Sequence, residues 1–175
     1  MSRSNHREEN WPWKMVWKTK IPYKVDYFIW LLAKESVLTH DNLNKGKFQL
    51  CSRCFFYGEQ VETISHLFLL CKWTEQLWRM FINLRKINWV KPGSIRGVLN
   101  SWNGDGNAAA KEERWKIVSA CIWWIVWKER NQRCFEDKQN GLQSFKMNCL
   151  VLFYFWCKEN ILVQAEDIWD GLDYL

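Results

Sequence analysis

The sequence predicts a mainly α-helical protein, with a small N-terminal unit that includes a short extended or hairpin segment, followed by a C-terminal helical hairpin. The 175 residues include only 8 Gly and 3 Pro, which is few for a loop-rich β-sandwich. Hydrophobic residues make up 48% and charged residues 25%, a mixture typical of a folded domain rather than a disordered chain. Long apolar stretches without Gly or Pro favour helices, and the length suits about one domain.

The N-terminal unit is predicted over residues 11–90, after a polar, flexible lead-in at residues 1–10. Residues 11–22 (WPWKMVWKTKIP) alternate apolar residues with Lys, a period of two that predicts an extended segment. Residues 25–38 are dense in apolar side chains and predict a buried helix. A second short helix is expected to begin after Thr39 as its N-cap and to end at Gly46.

The C-terminal unit is predicted over residues 108–175, after a linker at residues 91–107. The linker is inferred from Pro92, four Gly and several Asn and Ser. Residues 108–138 predict one long helix, with Trp115, Val118, Ile122 and Ile125 on one stripe. Gly141 breaks the pattern, and residues 144–163 predict a second helix that returns antiparallel to the first.

The net charge of +6 is unevenly distributed along the chain. Residues 1–100 carry 16 Lys and Arg against 8 Asp and Glu, and residues 101–175 carry 9 against 11. A basic half suggests an anionic partner such as nucleic acid. The alternative is a basic surface that serves only solubility.

Export and membrane insertion are not expected. The polar N-terminus lacks the apolar core of a secretory signal. The longest apolar runs, 117–127 and 149–157, are shorter than the ~18 residues that a membrane span needs. Seven Cys with no export signal point to free thiols in a reducing compartment, used for metal ligation or buried. We therefore expect an intracellular protein, with nucleus and cytoplasm not distinguished.

Cys51, Cys54, His66 and Cys71 form a candidate metal site. Their spacing is C-x2-C, then eleven residues, then H-x4-C. Three thiolates and one imidazole are a common ligand set for a closed, tetrahedral structural zinc site. The alternative is three buried thiols and a core histidine, since Cys is among the most buried residue types.

The spacing of His66 and Cys71 constrains the local structure. On one continuous α-helix, residues five positions apart lie about 140° apart around the axis. The two side chains can share an ion only if the helix ends or kinks between them. We therefore predict a short helical turn at residues 64–69, a break near Cys71 and a new helix over residues 72–84.

These motifs are similar to the zinc-binding domain that lies C-terminal to the reverse transcriptase in plant LINE-type (non-LTR) retrotransposons. The resemblance covers about Trp11 to Trp78, and residues 113–136 are also similar to the segment C-terminal to this domain in such polyproteins. The matching residues are Trp17, Lys18, Pro22, Lys24, Val25, Phe28, Trp30, Leu38, Thr39, Asn42, Leu43, Glu62, Thr63, His66, Leu67, Phe68, Cys71 and Trp78.

One position departs from the pattern of that family. The family's second cysteine directly precedes a Gly, but here Tyr57 precedes Gly58, and Cys54 matches the first cysteine. Tyrosine, with a pKa near 10, is a poor zinc ligand at neutral pH. Either Cys51 substitutes for the missing cysteine, or the site has three ligands or no metal.

The resemblance implies a zinc-binding, nucleic-acid-associated module that is not an enzyme by itself. The sequence has no adjacent Asp pair of the kind that holds two metal ions in reverse transcriptases, and no Gly-rich phosphate loop. We expect binding of RNA or DNA with weak sequence preference, and exposed Trp could stack on unpaired bases. The candidate phosphate contacts are Lys14, Lys18, Lys20, Lys24, Lys45, Lys47 and Arg53. The alternative is a protein-interaction fragment with a degenerate, metal-free site, whose C-terminal hairpin docks on a polymerase body or self-associates.

Overall fold

The computed structural model describes residues 21–46, 53–86, 88–101 and 109–172 of the chain. Side chains are described at all of these positions except 85, 109–114 and 160–172. The predicted lead-in, most of the predicted extended segment and Cys51 lie outside the described residues.

The described part of the chain is mainly helical, as predicted. A single isolated antiparallel bridge, between Arg53 and Val61, is the β-structure found there. None of the helices in this part combines the length and apolar character that crossing a bilayer requires. In chain order the elements are α1 (Tyr23–Ala33), α2 (His40–Lys45), a π-helical turn (His66–Leu70), α3 (Lys72–Arg85), α4 (Ile95–Asn100), α5 (Ala109–Phe135) and α6 (Leu142–Leu172).

Helix α1 buries the apolar face that the sequence predicts but ends five residues before Leu38. Its end is a Schellman motif, in which the amide of Glu35 donates to the Leu32 carbonyl and the amide of Ser36 to the Leu31 carbonyl. Glu35 has a φ of 56°, a conformation that usually signals Gly. The sequence has no Gly here, which is why the predicted helix was too long.

Helix α5 forms the centre of the core and packs against α1, α3, α6 and the π-helical turn. Three residues of its predicted stripe, Trp115, Val118 and Ile122, are buried, and Ile125 is half-buried. The ring of Phe28 on α1 contacts the rings of Trp124 and Trp127 on α5. Buried residues from both halves of the chain form one continuous cluster.

The stretch predicted as a linker, 91–107, is in part a packed helix. Ile95, Val98 and Leu99 of α4 are buried, and Ser94 caps the helix by accepting a hydrogen bond from the Gly97 amide. A side chain at Gly97 would meet Pro92, since a Cβ there would lie 2.7 Å from the Pro92 Cβ. Gly97, one of the four glycines from which a linker was inferred, is thus required by its close packing against Pro92.

The C-terminal helical hairpin is present as predicted, with α5 and α6 joined by residues 136–141. Buried Glu129 fixes this connection, because its carboxylate accepts hydrogen bonds from the Arg133 guanidinium and from the amide and side chain of Asn140. Helix α6 continues to Leu172, nine residues beyond its predicted end.

A buried ion pair connects the N-terminal segment to α5. Arg130 donates from Nη2 and Nε to Glu62 Oε1, at 2.8 and 3.2 Å, and both side chains are almost fully buried. The His40 amide donates to the same oxygen at 3.2 Å. The guanidinium also lies over the rings of Phe55 and Trp127. Residues 40, 55 and 62 are therefore held against α5 by one side chain.

We expect Arg130→Met to lower the free energy of unfolding by about 3–5 kcal/mol, because it leaves the Glu62 carboxylate buried without its ionic partner. Denaturant unfolding measures this change. The matched control is Arg79→Met, which removes a pair with Glu75 whose side chains are 69% and 43% exposed; it should cost less than about 1 kcal/mol. Equal effects of the two substitutions would contradict the role given to Arg130.

Candidate metal centre

Cys54, His66 and Cys71 converge on one point in the core. One potential ligand atom from each of the three residues lies within 4.8 Å of the other two. All three side chains are buried. The structure thus brings together three of the four predicted ligands, while Cys51 lies outside the described residues.

Cys54 is positioned by a tight turn between the bridged residues Arg53 and Val61. The Cys54 amide donates to the Gln60 carbonyl at 2.8 Å, and the Gly58 amide donates to the Cys54 carbonyl at 2.7 Å. Gly58 has a φ of 75°, which glycine adopts without strain. The Phe56 amide hydrogen-bonds to the Cys54 sulfur. We call residues 53–61 the knuckle.

His66 and Cys71 are brought to the same side of the chain by the π-helical turn. The Cys71 amide donates to the His66 carbonyl at 2.6 Å, an i to i+5 hydrogen bond that closes one turn between them. Thr63 Oγ1 caps the start of this turn by accepting from the His66 amide. Cys71 itself is extended, with φ −57° and ψ 134°, and α3 begins at Lys72. The predicted turn, break and new helix are confirmed. The sequence analysis did not predict that the turn would be π-helical rather than α-helical.

The two sulfurs are arranged to share one proton. A hydrogen bond from Cys54, together with the Trp73 and Thr74 amides at the start of α3 and the charge of Arg133, lowers the pKa of Cys71 to about 7 against the effect of burial. The hydrogen bond to Cys71 and burial raise the pKa of Cys54 well above its usual value. These surroundings favour the thiolate on Cys71 over that on Cys54, and a bound cation would stabilise that charge inside the core.

The geometry fits a zinc ion. With Zn–S bonds of about 2.3 Å and tetrahedral angles, two thiolates on one zinc lie about 3.8 Å apart. Cys54 Sγ and Cys71 Sγ are 3.8 Å apart, whereas a disulfide requires about 2.05 Å. His66 Nε2 is buried and has no hydrogen-bond partner among the described residues. Two sulfurs and an imidazole nitrogen are donors that zinc prefers.

Tyr57, which stands at the family's cysteine position, does not join this cluster. Its side chain is 40% exposed. Its hydroxyl accepts a hydrogen bond from Lys72 Nζ, and the Lys72 ammonium lies 3.8 Å from the centre of its ring. The Tyr57 side chain is therefore held at the surface by its contacts with Lys72.

Arg133 was missed by the sequence reasoning, although it lies close to the centre. Its guanidinium lies 4.8 Å from the ring centre of Phe56 and 4.3 Å from that of Trp73, and it donates to the Phe55 carbonyl. It is almost fully buried and supplies a positive charge near Cys71. The signal available in the sequence was weak, because Arg133 lies in a polar stretch, residues 128–133, that follows the apolar and aromatic residues 120–127 of the same helix.

The predicted nucleic-acid contacts are only partly covered by the structure. Lys24, Lys45 and Arg53 are exposed, on α1, on α2 and at the edge of the knuckle. Lys45 pairs with Asp41 at 3.5 Å, which reduces the charge it offers to a phosphate. Lys14, Lys18, Lys20 and Lys47 lie outside the described residues, so their predicted role stays a prediction.

Residues 1–78 match the family model described as zinc-binding in reverse transcriptase. This match confirms the resemblance identified from the sequence motifs, and it includes every residue of the cluster. An Arabidopsis thaliana protein named "Putative ribonuclease H protein" is 23% identical over 125 residues, which are 70% of this chain and 20% of that protein. The chain thus spans about a fifth of the length of this relative. No solved structure matches the chain.

Proposed function

We propose that the chain is a zinc-binding, nucleic-acid-associated module derived from a retrotransposon reverse transcriptase polyprotein, and that it is not catalytic by itself. The convergence of Cys54, His66 and Cys71 at zinc-like spacing carries the proposal. It occurs within residues 1–78, the part of the chain that matches a zinc-binding family.

Cys54, His66 and Cys71 would hold the ion, with Cys51 as the fourth ligand. Cys51 precedes Cys54 by three positions, the C-x2-C spacing that lets two sulfurs reach one ion. Because the three described ligands are buried, the centre would be structural, with no position open to substrate. Bound zinc would tie the knuckle to the start of α3, and its binding free energy would contribute directly to folding.

Nucleic-acid association is supported by the charge of the N-terminal half, with 16 Lys and Arg against 8 Asp and Glu over residues 1–100. Lys24 and Arg53 are exposed where a phosphate backbone could reach them. Such contacts are independent of base identity, so we expect weak sequence preference.

A non-catalytic role is supported by how the chain uses its buried glutamates. Glu62 is neutralised by Arg130 and Glu129 by Arg133, so both act in packing rather than as free metal-binding carboxylates. The Arabidopsis relative is named as a ribonuclease H, but that name describes a protein about five times the length of the region that matches this chain.

A second candidate function is protein binding by α6. Four exposed apolar side chains recur along it at helical spacing: Met147, Val151, Tyr154 and Phe155. Exposed apolar patches often mark interaction surfaces. Self-association measured by sedimentation, without affinity for nucleic acid, would favour this candidate over the first.

Metal content tests the zinc proposal. The wild-type protein should contain about one zinc per chain, and Cys54→Ser and Cys51→Ser should both lose most of it, since each removes a sulfur ligand. Cys121→Ser is the matched control, because Cys121 is equally buried but lies in α5 outside the cluster. If Cys51→Ser retained zinc as tightly as wild type while Cys54→Ser lost it, Cys51 would not be the fourth ligand.

Salt dependence tests the nucleic-acid proposal. Fluorescence anisotropy with a labelled oligouridine should show affinity falling at least about tenfold between roughly 50 and 200 mM salt, because each phosphate contact releases counterions. The same affinity at both salt concentrations would contradict phosphate binding by the basic half of the chain.

A further inference from the structure

Helix α1 carries an aromatic face on the side opposite its core contacts. Tyr23 and Tyr27 are 73% and 47% exposed, and Trp30 is half-buried. Positions i, i+4 and i+7 of a helix lie within about 60° of one another around the axis, so the three rings share one face. The rings of Tyr27 and Trp30 are already stacked, with centroids 5.6 Å apart and planes 23° from parallel.

The core does not require the two tyrosines of this face. Val25, Phe28, Ile29 and Leu32 bury the other side of α1 in the core. Trp30 is partly buried against the same cluster, and the Lys24 ammonium lies 5.9 Å from the centre of the Trp124 ring on α5. Large aromatic rings left on a surface in a row are unusual and are candidates for binding.

Positive charge accompanies the aromatic face. Lys24 and Lys34 are exposed at the two ends of α1. Lys34 lies eleven positions after Tyr23 and therefore on the same side of the helix as the rings. Asp26, the acidic residue within α1, is buried, and Glu35 is the exposed acid that follows the helix. The face thus combines aromatic planes with flanking cations.

We propose that this face of α1, formed by Tyr23, Tyr27 and Trp30, is a stacking platform for the unpaired bases of single-stranded nucleic acid, with Lys24 and Lys34 contacting the phosphates. This inference rests on the proposed nucleic-acid association and assigns it a location. Tyr23 and Trp30 are about 10 Å apart along the axis, which corresponds to about three nucleotides at ~3.4 Å each. Stacking accepts every base, which agrees with weak sequence preference.

The test uses the zinc-loaded 175-residue chain and fluorescence anisotropy with two labelled probes, an oligouridine RNA and an oligothymidine DNA, each of about 12 nucleotides. Replacing both Tyr23 and Tyr27 with Ala should weaken binding at least about tenfold, as expected from the loss of stacking on one or two bases. The salt dependence of the remaining binding should stay the same, because the tyrosines neutralise no phosphate. Lys24→Gln should instead reduce the salt slope by about 0.7.

The control is the double substitution Tyr154→Ala and Phe155→Ala, which removes two exposed, mutually contacting rings from α6. It should leave binding of both probes unchanged. A duplex of the same length should bind the wild-type protein more weakly than the single strands, because its bases are not free to stack.

The outcomes separate this inference from the function on which it rests. If wild-type protein binds the probes and the Tyr23/Tyr27 double variant binds them equally well, the platform is wrong while nucleic-acid association stands. If the wild-type protein binds neither probe, both fail. If the double variant binds normally but loses self-association seen by sedimentation velocity, the face is a protein interface instead.

Discussion

Two thiol sulfurs held 3.8 Å apart in the buried core are the constraint around which this protein is organised. Burial disfavours charge on a thiol, yet the hydrogen bond with Cys54, the amides of α3 and the charge of Arg133 together lower the pKa of Cys71. A cation bound between the sulfurs and His66 would stabilise the thiolate charge that burial disfavours. The knuckle, the π-helical turn and the start of α3 all meet at this one point, so the ion and the local fold would stabilise each other.

Residues outside the region that matches the zinc-binding family also pack around the candidate metal site. Arg130 and Arg133 belong to α5, yet they contact Glu62, the Phe55 carbonyl and the ring of Phe56. The knuckle therefore lies between the candidate metal site on one side and, on the other, two arginines more than fifty residues beyond residue 78. Residues 1–78 carry the candidate ligands, but the packing that fixes them continues through α5.

Local rules allowed much of this structure to be predicted from the sequence. The break between His66 and Cys71 followed from the angular spacing of an α-helix, and the C-terminal hairpin followed from apolar periodicity interrupted at Gly141. The end of α1 was predicted wrongly because the local signal was absent: the left-handed position is Glu35 rather than a glycine. In the stretch that contains α4 the local signal was misleading, since its Gly and Pro content suggested a linker. The pairing of Glu62 with Arg130 joins residues 68 positions apart and has no signature in a single sequence. The aromatic face of α1 could be recognised only once its opposite face was known to be buried.

X-ray absorption at the zinc edge of the purified protein tests the central claim most directly, because it reports the atoms bound to the ion. The structure and the proposed fourth ligand predict about three sulfurs at ~2.3 Å and one nitrogen at ~2.0–2.1 Å. A first shell made only of oxygen or nitrogen atoms, with no sulfur, would contradict the assignment of zinc to Cys54, His66 and Cys71.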